Sequence, residues 1–355
     1  MKEKKRIVLL LLIYILVVSI SGCAPQKEQK HYSSQKFLMD TVINIEAYGE
    51  DEKQLKKVVE SAYTEMSKIA SLTDRFPKPD TTAYEASDIC KVNAEAGKSP
   101  VKVSEDVYKM IELSLYYSKI SEDAFDITIG PLMDLWGFSN NSPQVPSDAQ
   151  IKKKLQLVDS SQVILDKEKR TVFLNKSEMS IDLGAIAKGY AAEKAAQVLR
   201  KAGVKQALIN AGGNVVVIGM KDGKNPWKVG IKDPRNGDEI VGILSLTDAS
   251  AVTSGDYERN FMESSIMYHH ILETQTGKPV RATWSVTVVA KDSGLADVLS
   301  TTLFVLGPEK GLKFIEKLDG VEAFFVGADK KIYVSPGLKN KVTVHTGSRY
   351  YYDEK

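Results

Sequence analysis

The sequence predicts an α+β fold, because helix-like and strand-like stretches fall in separate runs instead of strict alternation. Three stretches carry this reading. Thr41 to Tyr48 loosely alternates apolar and polar residues (Val42, Ile43, Ile45, Ala47), as a half-buried strand does. Asp51 to Ala70 places Leu55, Val58, Val59, Ala62, Met66 and Ile69 at helical spacing on one apolar face. From Ala207 onward, short strands follow one another: Ala207 to Asn210, Val215 to Ile218, Trp227 to Ile231, Ile240 to Leu246 and Ser285 to Ala290.

The remaining elements follow in order. Phe76 to Ala86 is rich in Pro, Thr and Asp and reads as a loop. Ser104 is suited to cap a helix running to Ile120, with Glu105 and Asp106 facing the positive end of its dipole. Asn140 to Pro146 resembles a linker. Val163 to Leu174 suggests a hairpin turning at Lys167 to Lys169. A strand from Met179 to Ile181 is expected to lead into a helix over Ala185 to Ala202, closed by Gly203. Two helices are expected over Ala296 to Leu306 and Glu309 to Leu318. Two closing strands, Ala323 to Val326 and Ile332 to Val334, turn at Asp329 and Lys330.

The N-terminus is an address. Lys2, Lys4, Lys5 and Arg6 precede an apolar run from Ile7 to Ile20, shorter than the roughly 20 residues that span a bilayer. The run ends in Ser21-Gly22-Cys23, small residues before a cysteine, as a lipoprotein signal peptidase needs. Residues 1–22 therefore read as a signal peptide, Cys23 as the lipidated residue and 23–35 as a tether, leaving one domain over 36–350. Two acyl chains at about 0.8 kcal/mol per buried CH₂ hold a protein stably at a membrane, where one is marginal. The chain is expected to be exported and held at the outer face of the cytoplasmic membrane. Its composition is 43% hydrophobic and 26% charged with a net charge of +2, so no basic field argues for nucleic acid. The one other cysteine, Cys90, leaves no internal disulfide if Cys23 is lipidated.

Four segments could carry chemistry. Ala124-Phe125-Asp126 with Gly130-Pro131 and Trp136 offers either a buried turn or a platform for a flat ring. Asp182 to Tyr190 ends a strand and starts an Ala-rich helix, whose free N–H groups and Lys188 suit a phosphate; tight helix packing is the plain alternative. The adjacent His269 and His270 lie on an extended segment, so they point to opposite faces and one of them can serve as a base. Asp297 and Thr301 are four apart on a helix, a pair of hard oxygen donors suited to Mg²⁺.

In this order, and with Asn210 to Asn214, Thr253-Ser254-Gly255 and His269 to Gly277, the segments resemble the ApbE family of FAD:protein FMN transferases. The resemblance runs from about Phe37 to Ser335 and implies a two-lobed α+β structure with a T-fold-like core of antiparallel strands and packed helices. It implies FAD bound between the lobes, with contacts at Met39, Phe76, Ala124, Phe125, Asp126, Asp182, Lys188 and Leu272. Tyr84 competes with Phe76 for the stacking position, since Pro77 to Thr82 is inserted. It implies Mg²⁺ held by the Ala185 carbonyl, Asp297 and Thr301. Two positions depart from the family pattern: Glu273-Thr274 replaces Asp-Pro, and Asp40 stands where relatives favour Gly. The implied reaction is attack of an acceptor threonine hydroxyl on the FMN-side phosphorus of FAD, releasing AMP, with His270 as the candidate base. The acceptor would carry a motif of the Asp-Gly-x-Ser/Thr-Gly-Ala-Thr kind, which this chain lacks. FAD hydrolysis to FMN and AMP, and passive flavin binding by an exported lipoprotein, are the alternatives.

Overall fold

The computed structural model describes residues 29–138, 142–345, 347 and 349–352. Nine strands form one sheet whose spatial order is their order along the chain. They are β1 (Lys30–Leu38), β2 (Thr41–Gly49), β3 (Gln206–Ala211), β4 (Asn214–Ile218), β5 (Ala249–Gly255), β6 (Thr283–Ala290), β7 (Glu322–Gly327), β8 (Lys331–Val334) and β9 (Tyr351–Tyr352). Neighbours are antiparallel throughout, except that β9 runs parallel to β8.

Period-two alternation gives this sheet two apolar faces. Ile43, Ile45, Ile209, Val216, Val286 and Val288 face a helical layer. That layer comprises α1 (Glu52–Thr73), α2 (Glu105–Ile120), α3 (Ala187–Lys201) and α4 (Ser293–Ile315). Helices α1, α3 and α4 lie on the sheet, and α2 packs on α1 and α4. Val215, Val217, Val289 and Phe324 face the other way, onto a three-stranded sheet of residues 227–233, 236–246 and 342–344. A satellite core of Leu132, Trp136, Ile151 and Leu272 forms the smaller lobe. Among the described residues no helix is long and apolar enough to cross a membrane.

Local chemistry explains the boundaries. Asp51 caps α1 by accepting from Lys53 N and Gln54 N, and Ser104 caps α2 through Val107 N. Buried Ala187, Ala191, Ala192, Ala195 and Ala196 let α3 sit close between its neighbours. The expected pair of C-terminal helices is α4 broken at Gly307 (φ 77°, ψ 170°), with Pro308 opening the second half. Gly212 and Gly213, both at positive φ, turn β3 into β4; a Cβ on Gly212 would lie 2.3 Å from Thr41 Oγ1.

Four expectations change. Residues 30–35, expected to belong to a linker, form most of β1 instead; as a polar edge strand it shows little alternation, yet Tyr63 Oη donates to Ser34 O at 2.6 Å. Residues 179–181 are extended but join no sheet. The Asn93 side chain takes the place of a neighbouring strand, bonding both Ile181 N and Ile181 O. Helix α3 starts at Ala187, two residues late. A short helix, Thr82–Ala86, capped by Thr81, interrupts the loop expected after Phe76.

Candidate active site

One cavity of about 540 Å³ opens between the helical layer, the ends of β4 and β5, and the smaller lobe. It gathers every site residue expected from the sequence within the described chain: Met39, Phe76, Ala124, Phe125, Asp126, Asp182, Ala185, Lys188, His270, Leu272, Asp297 and Thr301. Tyr84 is not among its lining residues. Cys23 lies outside the described residues.

The start of α3 is unusual. In an α-helix the N–H of residue 189 would donate to the carbonyl of residue 185. Here Gly189 N instead donates to Asp297 Oδ2, at 2.7 Å. Among the described residues no donor replaces it on the Ala185 carbonyl, which stays available at the cavity wall. The approach needs glycine: a Cβ at 189 would lie 2.2 Å from Ser293 O and 2.6 Å from Asp297 Cβ. Asp297 is 5% exposed, and burial raises its pKa against the charge of Lys188 and the Gly189 bond. Asn214 stands close enough to oppose that shift too, although its Nδ2 closes no hydrogen bond. Thr301 follows one turn later on α4 and lines the same wall.

These donors fit a hard cation. A buried carboxylate needs a positive partner, and an unclaimed carbonyl and a hydroxyl line the same cavity. Among the described residues no three His, Cys, Asp or Glu side chains gather as a metal site. A cation here would therefore draw further ligands from substrate or water, as Mg²⁺ does beside phosphates.

His269 and His270 separate as their alternation predicts. His269 is buried, with Nδ1 accepting from Ile271 N at 3.3 Å, so Nε2 donates to Val280 O at 2.7 Å. His270 reaches the cavity. Its backbone N–H donates to Arg259 O at 3.0 Å, and its Nδ1 lies 3.3 Å from the same oxygen. A carbonyl only accepts, so Nδ1 carries the proton and Nε2 keeps its lone pair. Burial first, then the charge of Arg259, pushes the His270 pKa down to about 3. The ring is only half-buried by surface area, yet both its depth in the cavity and its cationic neighbours favour the neutral base at pH 7.

The cavity also has an apolar lining, with Met39, Phe76, Ile129, Met133 and Leu272 among its residues. Met39 and Asp40 form the β1–β2 turn with φ of 54° and 59°, a strained conformation for residues with a Cβ. Asp126 is inward and heavily used: Oδ1 accepts from Thr128 N and Oγ1 at 2.7 Å, and Oδ2 accepts from Ser160 N at 3.0 Å. Burial nonetheless raises its pKa to about 6. Its carboxylate thus shapes the 124–129 turn.

Arg75 was not singled out from sequence. It follows α1, and its 7% exposed side chain spans Asp182 Oδ2 and Asp134 Oδ2, each at 2.8 Å. Burial works against its charge, but the two carboxylates raise its pKa. Asp182 Oδ1 accepts from Gly184 N at 2.8 Å, so this pair fixes the segment leading to Ala185. A lone arginine in a Pro- and Asp-rich loop gives no local signal of this role.

Comparison with known proteins agrees with this geometry. The ApbE family model matches residues 39–325. A FAD:protein FMN transferase of Klebsiella pneumoniae is 35% identical over 87% of this chain and 93% of its own length. One of Treponema pallidum is 30% identical over 93% of each chain. The ApbE protein of Thermotoga maritima superposes with a TM-score of 0.80 at 32% identity, covering 88% of this chain and 99% of that one. The flavin transferase ApbE of Vibrio cholerae gives 0.73 at 26%, with the same coverage. With its antiparallel sheet, its helical layer and a match over most of its length, this chain belongs to the ApbE family.

Proposed function

We propose that the chain transfers the FMN half of FAD to a threonine hydroxyl of an exported or membrane protein, using Mg²⁺ and releasing AMP. That it is a flavin transferase follows from its family and from relatives matched over nearly their whole length. The use of Mg²⁺ is supported by one observation: the Ala185 carbonyl, released by the Gly189–Asp297 bond, lines the same cavity as Asp297 and Thr301. Bound there, Mg²⁺ would supply charge that offsets the pyrophosphate, which otherwise repels a nucleophile.

The chain's own residues do the rest. Lys188 and the start of α3 hold phosphate oxygens. The apolar lining takes the flavin ring against Phe76, with Met39 and Leu272. Neutral His270 accepts the threonine proton at Nε2 as the new P–O bond forms and the bond to AMP breaks. An anionic substrate counters the charges of Arg259 and Lys188, which raises the basicity of His270 when it is needed. The Cys23 anchor would hold the site outside the cytoplasm, so acceptor and FAD must both be available there.

His270→Ala should bind FAD, seen by quenching of flavin fluorescence, while losing transfer. Full transfer in that variant overturns the assignment. Asp297→Ala should lose its response to Mg²⁺; a wild-type rate in that variant with EDTA present removes the cation from the account.

A further inference from the structure

His270 depends on the Arg259 carbonyl, and that carbonyl belongs to a turn held by a side chain outside the cavity. Arg235 donates from Nη1 and Nη2 to the two oxygens of Asp256, at 2.8 and 2.6 Å. Its guanidinium lies 4.0 Å from the centre of the Trp284 ring. Asp256 is 3% exposed, its N–H donates to Trp284 O at 3.0 Å, and its carbonyl accepts from Asn260 Nδ2 at 3.2 Å. Three residues on, Arg259 presents the oxygen shared by the His270 backbone and ring. Neither Arg235, Asp256 nor Trp284 lines the cavity, whereas Gly255, Glu258 and Arg259 do.

We propose that Arg235 is a positioning residue for His270: by clamping Asp256 it fixes the 256–259 turn, so that the Arg259 carbonyl selects the Nδ1–H tautomer. A bidentate, ring-stacked guanidinium suits this task because it fixes direction as well as distance. The free Nε2 of His270 is then a property of the apo fold, set before substrate arrives. The inference rests on the reading of His270 as the base, and the experiment separates the two.

Arg235→Lys keeps the positive charge while losing the fork and the planar stack, so Asp256 is not left without a cation. Nitrogen-resolved NMR of the full-length variant would read the tautomer of His270. AMP release would be timed with FAD, Mg²⁺ and a synthetic acceptor domain carrying Asp-Gly-Ala-Ser-Gly-Ala-Thr. We expect a mixture of His270 tautomers, kcat at least tenfold lower and FAD affinity within about twofold of wild type. A folded variant whose His270 keeps the single Nδ1–H tautomer overturns the inference, whatever its rate. Loss of FAD affinity and melting temperature with no change of tautomer also overturns it, as a merely structural role. A changed tautomer with an unchanged kcat leaves the positioning intact and removes His270 as the base.

Discussion

Gly189→Ala inverts the usual sign of a helix substitution. On propensity alone, alanine inside a helix gains about 1 kcal/mol over glycine. At this position the new Cβ would stand 2.2 Å from Ser293 O and 2.6 Å from Asp297 Cβ. Both contacts are too short by about 1 Å or more, since non-bonded carbons settle at ~3.5–4.0 Å. The obstacles are the backbone and Cβ of a packed helix, so α3 and α4 must separate. Overpacking of this kind costs about 1–3 kcal/mol and sometimes more. Contacts this short belong in the upper part of that range, about 2–3 kcal/mol, so after the propensity gain the net change is a loss of roughly 1–2 kcal/mol. The same shift breaks the Gly189–Asp297 bond and returns the Gly189 N–H to the Ala185 carbonyl. Urea denaturation should give a lower midpoint with an unchanged slope. Titration with Mg²⁺ in the presence of ADP should show affinity weakened at least tenfold. A variant as stable as wild type, with unaltered Mg²⁺ affinity, would refute the reasoning about this helix start.

Other predictions follow from the same geometry. Arg75→Met leaves Asp182 and Asp134 without their shared cation; breaking a buried pair costs ~3–5 kcal/mol, with the lower end expected because half of the Asp134 side chain is exposed. Denaturant melts would register that loss, and flavin quenching should show weaker FAD binding; an unchanged midpoint contradicts the role given to Arg75. Asp106, between α1, α2 and α3, is raised by burial but lowered more by Lys194, Lys68 and Tyr190, to about 2. A depressed carboxylate stabilises the fold above its unfolded pKa of ~3.9, and that share, about 2 kcal/mol once solvent screening at the half-exposed Lys68 is discounted, is lost as pH falls towards 2. Asp106→Asn should thus be less stable at pH 7 and have a flatter stability profile between pH 4 and 2; a profile as steep as wild type counts against it.

Much of the site was legible in the sequence because its residues sit in short contiguous motifs. Asp297 and Thr301 need only helical spacing to share a face, and His269 and His270 need only the alternation of an extended chain. The class of fold was legible too, since strand-like and helix-like stretches fall in separate runs. The edge strand β1 was not, because Lys30 to Gln35 is largely polar and its pairing is set by β2. Residues 179–181 read as a strand because Met and Ile are apolar there; Asn93, far away in sequence, supplies their hydrogen bonds. Arg75, Arg235 and Asp256 escaped for a similar reason. Their meaning lies in partners 59 to 107 residues away for Arg75 and 21 for the Arg235 pair. No local period marks such contacts.

The most direct test incubates the purified chain with FAD, Mg²⁺ and an acceptor domain bearing one threonine in the expected motif, alongside a copy with valine there. The account predicts covalent flavin fluorescence on the threonine acceptor only, the added mass of one FMN, and AMP released in equal amount. AMP and free FMN without a labelled acceptor would make the chain a hydrolase and contradict the central claim.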